Sequence, residues 1–353
     1  MPSIACDVTA LAQNRFGGIA RVCFHTAVEA ARHDDFVVTA CYLKGELPAL
    51  QIPTIHVSRL RLWSGLIGPT FDLAHSICHR MLPVKARCHL YTVHDAWSLA
   101  PNDYQSPAFQ KKLGERMRRD LVAADLVTTD SQYTRSEILK YGLIDPAKCV
   151  ALPIGVTIPD ATSVQPTQLA ALPKFDKPFV LFVGRLENRK NIPHILEAVR
   201  SFADLLLILV GEPGYGYEEK IKPALSSFPS ERLLLLNRIS ESELLWLYQH
   251  ALATVQPSWE EGFGLPVLEA MAAGCPVITS NRSATVEVAQ DSAILVEPDA
   301  PEQTRRALQR LRDDIVFRHS AIAAGRLQAS SFNWELFGDR LVQLYRSLIA
   351  GQA

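Results

Sequence analysis

The chain has 353 residues, 48% of them hydrophobic, with 36 basic and 37 acidic side chains and a formal net charge of −1. That apolar fraction excludes a disordered chain, and the charge balance argues against an obligate nucleic-acid binder, which carries a basic excess. The length suits about two domains at roughly 150 residues each, enough to bury a core without disulfide or metal staples.

The seven cysteines are scattered and no C-x-x-C occurs, so neither a disulfide framework nor a zinc ribbon is expected. The opening MPSIACDVTA has no basic segment leading into a long apolar one, and the strongest apolar run, Leu205–Val210, falls far short of the about 20 residues that span a bilayer. The expectation is a soluble, cytoplasmic protein.

Short β-rich runs alternate with helical stretches along the whole chain. The first set of expected strands is Ile4–Val8, Phe36–Tyr42, His89–Val93, Leu126–Thr129 and Cys149–Leu152. The second is Phe179–Val183, Leu205–Val210, Leu233–Leu236, Leu252–Gln256, Pro276–Thr279 and Ala293–Val296. Most are continuously apolar, as parallel strands covered on both faces are, so the chain reads as doubly wound α/β. Ser131 caps a helix entering Gln132–Tyr141, and Ser240 with Glu243 has the capping-box spacing that opens Glu241–His250. Pro193 and Pro266 suit first helical turns, Gly274 a helix stop, and Asn333 caps a last helix, Trp334–Ile349. Thr157–Pro178, with four prolines and no sustained period, reads as a linker that separates residues 1–172 from 173–333.

The most informative stretch is Ser258–Gly274, SWEEGFGLPVLEAMAAG, directly after an expected strand. Gly262 and Gly264 let the backbone approach a ligand, and free amides at the following helix start favour an anion. Glu261 and Glu269 flank that anion site. Carboxylates repel phosphate, so they accept hydrogen bonds from hydroxyls beside it. An anion with hydroxyls on either side describes a nucleoside diphosphate sugar. The alternative is a plain loop with a capped amphipathic helix, and spacing alone does not separate the two. After Phe179–Val183, Arg185 and Lys190 stand in a strand-to-helix loop, where they can neutralise a diphosphate without a metal. The alternative there is a solvated charge cluster with Glu187 as partner.

Together these residues resemble glycosyltransferase family 4, retaining enzymes of the GT-B fold with two facing Rossmann-like domains. The motifs are Val183-Gly184-Arg185 with Lys190-Asn191, then Glu261-Gly-Phe-Gly-Leu-Pro, Glu269-Ala and Gly274-x-Pro-Val. Gly17-Gly18-Ile19-Ala20-Arg21 resembles the family's glycine loop, and His94-Asp95 its acceptor-side pair. The resemblance implies that Glu269 holds the ribose hydroxyls and Glu261 contacts the donor sugar near the reacting centre. Arg185 and Lys190 bind the diphosphate, and the amides at Gly262, Phe263, Gly264 and Leu265 meet sugar or phosphate. Backbone around Arg238 and Ile239 meets the base. His94 lies near donor and acceptor, Asp95 on the acceptor side, Gly17 and Gly18 against the phosphates, and Arg21 is a further acceptor-side partner. It also implies that residues 334–353 pack back on the first domain. One departure is Pro153-Ile154-Gly155, where the family often has Asn before the glycine.

The reaction this implies is retaining transfer of a hexose to a hydroxyl of a glycan or lipid-linked glycan, in cell-surface polysaccharide or glycolipid synthesis, with the leaving phosphate taking the acceptor proton. GDP-mannose is the leading donor, ahead of UDP-glucose-type and dTDP-rhamnose donors. No cofactor and no metal are implied, and no D-x-D occurs. A nicotinamide oxidoreductase needs G-x-G-x-x-G; Gly211-Glu-Pro-Gly214-Tyr-Gly216 has another order. A nucleotide-sugar epimerase, a phosphorylase and a silent sugar-nucleotide-binding subunit are the remaining rivals.

Two weaker features stand apart. His75 and His79, four apart on an expected helix with Cys78 between them, have metal-ligand spacing, but no third ligand is evident and packing is the preferred reading. Lys111, Lys112, Arg116, Arg118 and Arg119 fall on one expected helix, with Lys112, Arg116 and Arg119 on one face. That face reads as solvated, or as a contact with anionic lipid helped by Trp63–Pro69.

Overall fold

The fold is seen in a computed structural model that describes residues 1–13, 17–57, 70–157, 165 and 177–351. Nearly all of the expected linker Thr157–Pro178, its boundary at 172/173, and the apolar stretch Trp63–Pro69 lie outside the described residues. The chain divides into two units, Met1–Pro101 with Ala108–Gly155 and Phe332–Ala353, and Asn102–Pro107 with Val156–Ser331.

Among the described residues the first unit has seven strands: β1 (Ser3–Asp7), β2 (Val37–Tyr42), β3 (Thr54–His56), β4 (Thr70–Ser76), β5 (Lys85–Val93), β6 (Leu126–Thr129) and β7 (Cys149–Ala151). They lie in the order β3-β2-β1-β4-β5-β6-β7, and every pairing is parallel. The chain therefore winds outward from β1, then restarts at β4 on its other side. Helices α1 (Thr9–Gln13), α2 (Gly18–Ala31), α3 (Pro107–Ala123) and α4 (Gln132–Leu139) connect these strands. Ser131 caps α4 by accepting from the Thr134 amide, as its position predicts.

Two of these strands do not stand out in the sequence. β3 has only three residues, and β4 carries Asp72 and His75 in place of an apolar run. His75 is thus a strand residue, and His79 follows in a turn with φ 39°; the expected helix bearing both is wrong. A central strand tolerates buried His75 because both ring nitrogens are bonded, Nδ1 to Tyr345 Oη and Nε2 to Thr92 Oγ1, each at 2.7 Å. Burial holds this imidazole neutral, pushing its pKa down to about 3.

The second unit repeats the plan with β8 (Phe179–Val183), β9 (Leu206–Val210), β10 (Leu233–Leu236), β11 (Ala253–Gln256), β12 (Val277–Ser280) and β13 (Ile294–Val296), in the order β10-β9-β8-β11-β12-β13, all parallel. Its helices are α5 (Ile192–Arg200), α6 (Lys222–Ser226), α7 (Glu241–His250), α8 (Leu265–Ala273), α9 (Ala284–Ala289), α10 (Pro301–Asp313) and α11 (Ile315–Ser330). Val180, Phe182, Leu207 and Leu209 from β8 and β9 are fully buried between helical layers, as their unbroken apolar runs require. The capping box at Ser240–Glu243 is complete in both directions.

The last helix, α12 (Trp334–Ile349), belongs to the first unit and packs against α2, β4 and β5. Asn333 caps it by accepting from the Leu336 amide. Trp334 stacks on His25 at 3.9 Å, and Tyr345 reaches His75. Gly155 lies against its start: a Cβ there would sit 2.5 Å from the Trp334 nitrogen, so glycine is required by close approach.

Candidate active site

In each unit the strand order reverses beside the first strand, and loops at such a switch point line a crevice at the strands' carboxyl ends. In the second unit those loops follow β8 and β11. The first turns at Gly184, passes exposed Arg185, and closes a short turn over Asn188–Lys190. Asn191 then adopts the left-handed conformation, φ 57°, and its side-chain amide donates to the Pro257 and Pro298 carbonyls at 3.2 and 2.7 Å. Those bonds fix where α5 starts. The second loop runs from Ser258 to Gly264, where φ is 99°, and α8 begins at Leu265. Glycine supplies that backbone conformation without strain.

The two loops meet through charge. Lys190 Nζ donates to Glu261 Oε1 at 2.5 Å, and Arg189 Nη1 to Glu261 Oε2 at 2.9 Å. Arg189 Nε also meets Glu187 Oε1 at 2.7 Å. Ser258 Oγ donates to Glu261 Oε1 at 2.7 Å, and the Glu261 amide donates to Ser283 Oγ at 3.1 Å. Glu261 and Lys190 are only 7% and 6% exposed. Burial alone would raise the Glu261 pKa, but Lys190 and Arg189 outweigh it and hold the carboxyl at about 2. Burial, with Arg189 alongside, lowers the Lys190 pKa. Two acids and two bases thus form one compensated cluster, which is how buried charge is tolerated.

The other expected donor residues of this unit have separate partners. Arg185 donates to the Pro213 carbonyl at 3.5 Å. Glu269, half-buried on α8, accepts from Tyr248 Oη at 3.1 Å. Gly262, Phe263 and Gly264 are buried, and Leu265 half-buried, at the start of α8. Arg238 pairs with Glu212 at 2.6 Å beyond β10, and Ile239 is half-buried beside it. Arg189, Ser258 and Ser283 received no role from the sequence. Arg189 was visible only as a neighbour of Lys190, and its partners Glu260 and Glu261 are 71 and 72 residues away.

In the first unit, His94 and Asp95 follow β5. His94 is 7% exposed, with Nδ1 2.7 Å from Asp130 Oδ2 and Nε2 2.8 Å from the Ile77 carbonyl. Both neighbours are acceptors, so both nitrogens carry hydrogen and the ring is an imidazolium. Burial opposes that charge, but Asp130 and the Ile77 carbonyl raise the His94 pKa overall. His79 stands edge-on to it at 6.2 Å. Asp95 has one buried oxygen, Oδ1, without a hydrogen-bond partner. Gly17, in extended conformation, precedes α2, which starts at Gly18 and carries Arg21.

Of the five cations of α3, Lys111, Lys112 and Arg119 are exposed, and Arg116 and Arg118 are half-buried. Arg118 donates to the Leu99 carbonyl at 2.7 Å and lies over Tyr141, and Arg119 pairs with Asp120 at 3.0 Å. Among the described residues no helix is long and apolar enough to cross a membrane.

Two doubly wound parallel units, with the last helix returned to the first, define the class: the fold is GT-B. Residues 165–328, which make up most of the second unit, match the family of glycosyl transferases group 1, that of glycosyltransferase family 4. Over 291 residues it is 28% identical to O-antigen chain mannosyltransferase B of Escherichia coli, spanning 80% of this chain and 74% of that one. It is 27% identical over 334 residues to D-inositol 3-phosphate glycosyltransferase of Thermobifida fusca, spanning 84% and 74%. Among solved structures, sucrose-phosphate synthase from Thermosynechococcus elongatus superposes with a TM-score of 0.78 at 22% identity over 99% of this chain and all of that one. Anabaena Alr3699/HepE in complex with UDP-glucose also gives 0.78, at 17% identity and the same coverage.

Proposed function

We propose that this glycosyltransferase moves a hexose, with mannose from GDP-mannose as the leading donor, to a hydroxyl of a glycan or lipid-linked glycan. Transfer retains configuration and uses no metal. The observation that carries this reading is the compensated Lys190–Glu261–Arg189 cluster at the switch point, beside the start of α8. The mannose preference is supported by the E. coli relative, whose name is that of a mannosyltransferase.

The hard step is separating a diphosphate anion from an oxocarbenium-like sugar. Lys190 and Arg185 neutralise the diphosphate, and the amides from Gly262 to Leu265 face the phosphate and sugar oxygens. Donors aimed at developing charge lower a barrier by several kcal/mol. Glu261 accepts from a sugar hydroxyl beside the reacting carbon, and Glu269 from the ribose. The acceptor hydroxyl approaches on the leaving-group face and passes its proton to the departing phosphate. Asp95 orients the acceptor. His94 is held by Asp130 as an imidazolium and adds positive charge on that side.

The test is thermal stabilisation of the purified protein by GDP, UDP, dTDP and NAD with EDTA present. A ligand at 100 times its Kd stabilises the folded state by about 2.7 kcal/mol. Stabilisation by one nucleoside diphosphate, lost in Glu269→Ala, is the expected result. Stabilisation by NAD alone overturns the reading, and indifference to all four points to a silent or partner-dependent subunit.

A further inference from the structure

Glu261 has two cations, and only one of them is expected to serve the donor's phosphates. Lys190 is buried and gives one N–H to Glu261 Oε1 at 2.5 Å, and a diphosphate that draws its ammonium toward itself weakens that pair. A carboxylate left buried without a cation takes up a proton and ceases to be a pure hydrogen-bond acceptor.

Arg189 is built to prevent this. Its guanidinium meets three acceptors, Glu187 Oε1 from Nε at 2.7 Å and, from Nη1, Glu261 Oε2 and the Glu260 carbonyl, each at 2.9 Å. A planar fork reaches all three at once, whereas an ammonium on a flexible stem does not hold that geometry. Its backbone is tied to the same loop, since the Trp259 amide donates to the Arg189 carbonyl at 2.8 Å. Glu187 packs closely against Gly214, where a Cβ would come within 2.9 Å of its own.

We infer that Arg189 is a positioning residue for the donor: it keeps the Glu261 carboxylate in place and charged while Lys190 moves to the donor's diphosphate. This rests on the donor-binding reading proposed above. Lys190 serves the phosphate, Arg189 serves Glu261, and Glu187 keeps Arg189 from following Lys190. The other charged groups facing this region cannot substitute. Glu260 carries the wrong sign, and Arg282, at the approach to α9, is held by Glu297 at 3.2 Å and Asp299 at 3.9 Å and lies over Trp259. Tyr104, whose phenol is shifted by Glu260 and Arg189, has its pKa raised by burial and stays neutral. Ser258 and Ser283 contribute hydrogen bonds but no charge.

The experiment counts protons taken up on binding. Titration calorimetry of GDP-mannose and of UDP-glucose, without acceptor, is run at pH 6.5 in two buffers of different ionisation enthalpy. A nucleotide sugar is the right probe because neither of its phosphates titrates near neutrality. The wild-type protein should bind one of them with no net proton uptake. Arg189→Gln should take up about one proton per donor bound, as an unpaired buried carboxylate does, with Kd raised about ten-fold to a hundred-fold. Glu187 also feels Lys190, so the double variant Glu187→Gln/Arg189→Gln separates the two carboxylates: uptake that persists there belongs to Glu261, and uptake that disappears overturns the inference. Arg189→Met gives the same reading if Arg189→Gln does not fold. Donor binding to either variant without proton uptake overturns the inference, and so does uptake of a proton by the wild-type protein. If neither nucleotide sugar binds the wild-type protein, the donor reading fails and the inference falls with it.

Discussion

Glu261 and Glu269 are the same residue type, eight positions apart, in opposite surroundings. Glu261 is buried among two cations and a serine hydroxyl, whereas Glu269 is half-buried and accepts from Tyr248 Oη. The Glu261 carboxyl is held at about 2 instead of an ordinary 4.5. Because its folded pKa is the lower one, its contribution is fully present above about pH 4.5 and is lost as pH falls toward 2, amounting to at most about 3 kcal/mol. The urea midpoint should therefore fall steeply on acidification through that window, and Glu261→Gln should flatten the fall. An unchanged slope in the variant would mean that the Lys190–Glu261 pair carries no net stability. At this scale the sequence was half legible. The loop glycines and both glutamates announce themselves locally. The pairing of Arg189 with Glu261 depends on two crossover loops meeting at the switch point, which no local spacing encodes.

Elements were legible wherever apolar runs were unbroken. β8 to β13 and the caps at Ser131, Ser240 and Asn333 all followed from periodicity and short-range hydrogen bonding. β4 did not, because its polar residues are satisfied by partners far away in sequence. His75 is the case in point: a hydrogen-bonded chain runs from Tyr345 Oη through His75 to Thr92 and on to Thr128, every link 2.7 Å. The chain joins α12 to three adjacent strands and ends next to a small cavity of about 10 Å³ that Thr128 and Asp130 help line. Tyr345→Phe removes one hydroxyl and leaves a buried imidazole nitrogen without a partner, at a cost of about 1–3 kcal/mol. Chemical denaturation should show that loss with an unchanged slope against denaturant, since the packed ring is retained. A loss below about 0.5 kcal/mol, within the range of neutral surface changes, would show that the chain contributes nothing to the fold. His75 also makes this region acid-labile in its own right. Its folded pKa is depressed to about 3 from 6.5, so the unfolded chain binds the proton first and stability falls as pH drops below about 6.5.

At the scale of the whole molecule, the chain order and the spatial order disagree in one place. The sequence runs through the first unit, then the second, and then returns its last residues, Phe332–Ala353, to the first. Nothing local in Trp334–Ile349 states that destination; the helix and its cap are readable, but the partner surface is not. Only the family resemblance indicated it. The physical stake is large, since α12 buries Trp334, Phe337, Leu341, Val342, Tyr345 and Leu348. At about 1.5–3 kcal/mol for each such side chain, the helix supplies as much as the about 5–15 kcal/mol by which a domain is typically stable. Removing residues 332–353 should therefore unfold the first unit and leave the second folded, because the buried side chains of β8, β9 and β11 pack within their own unit. Hydrogen exchange separates the outcomes. Amides of β1, β4 and β5 should lose protection in the truncated chain, while those of β8, β9 and β11 keep theirs. Full protection of β1, β4 and β5 after truncation would make the helix an appendage. Loss of protection everywhere would mean that the second unit depends on the first, so that the chain folds as one cooperative unit and not as two cores.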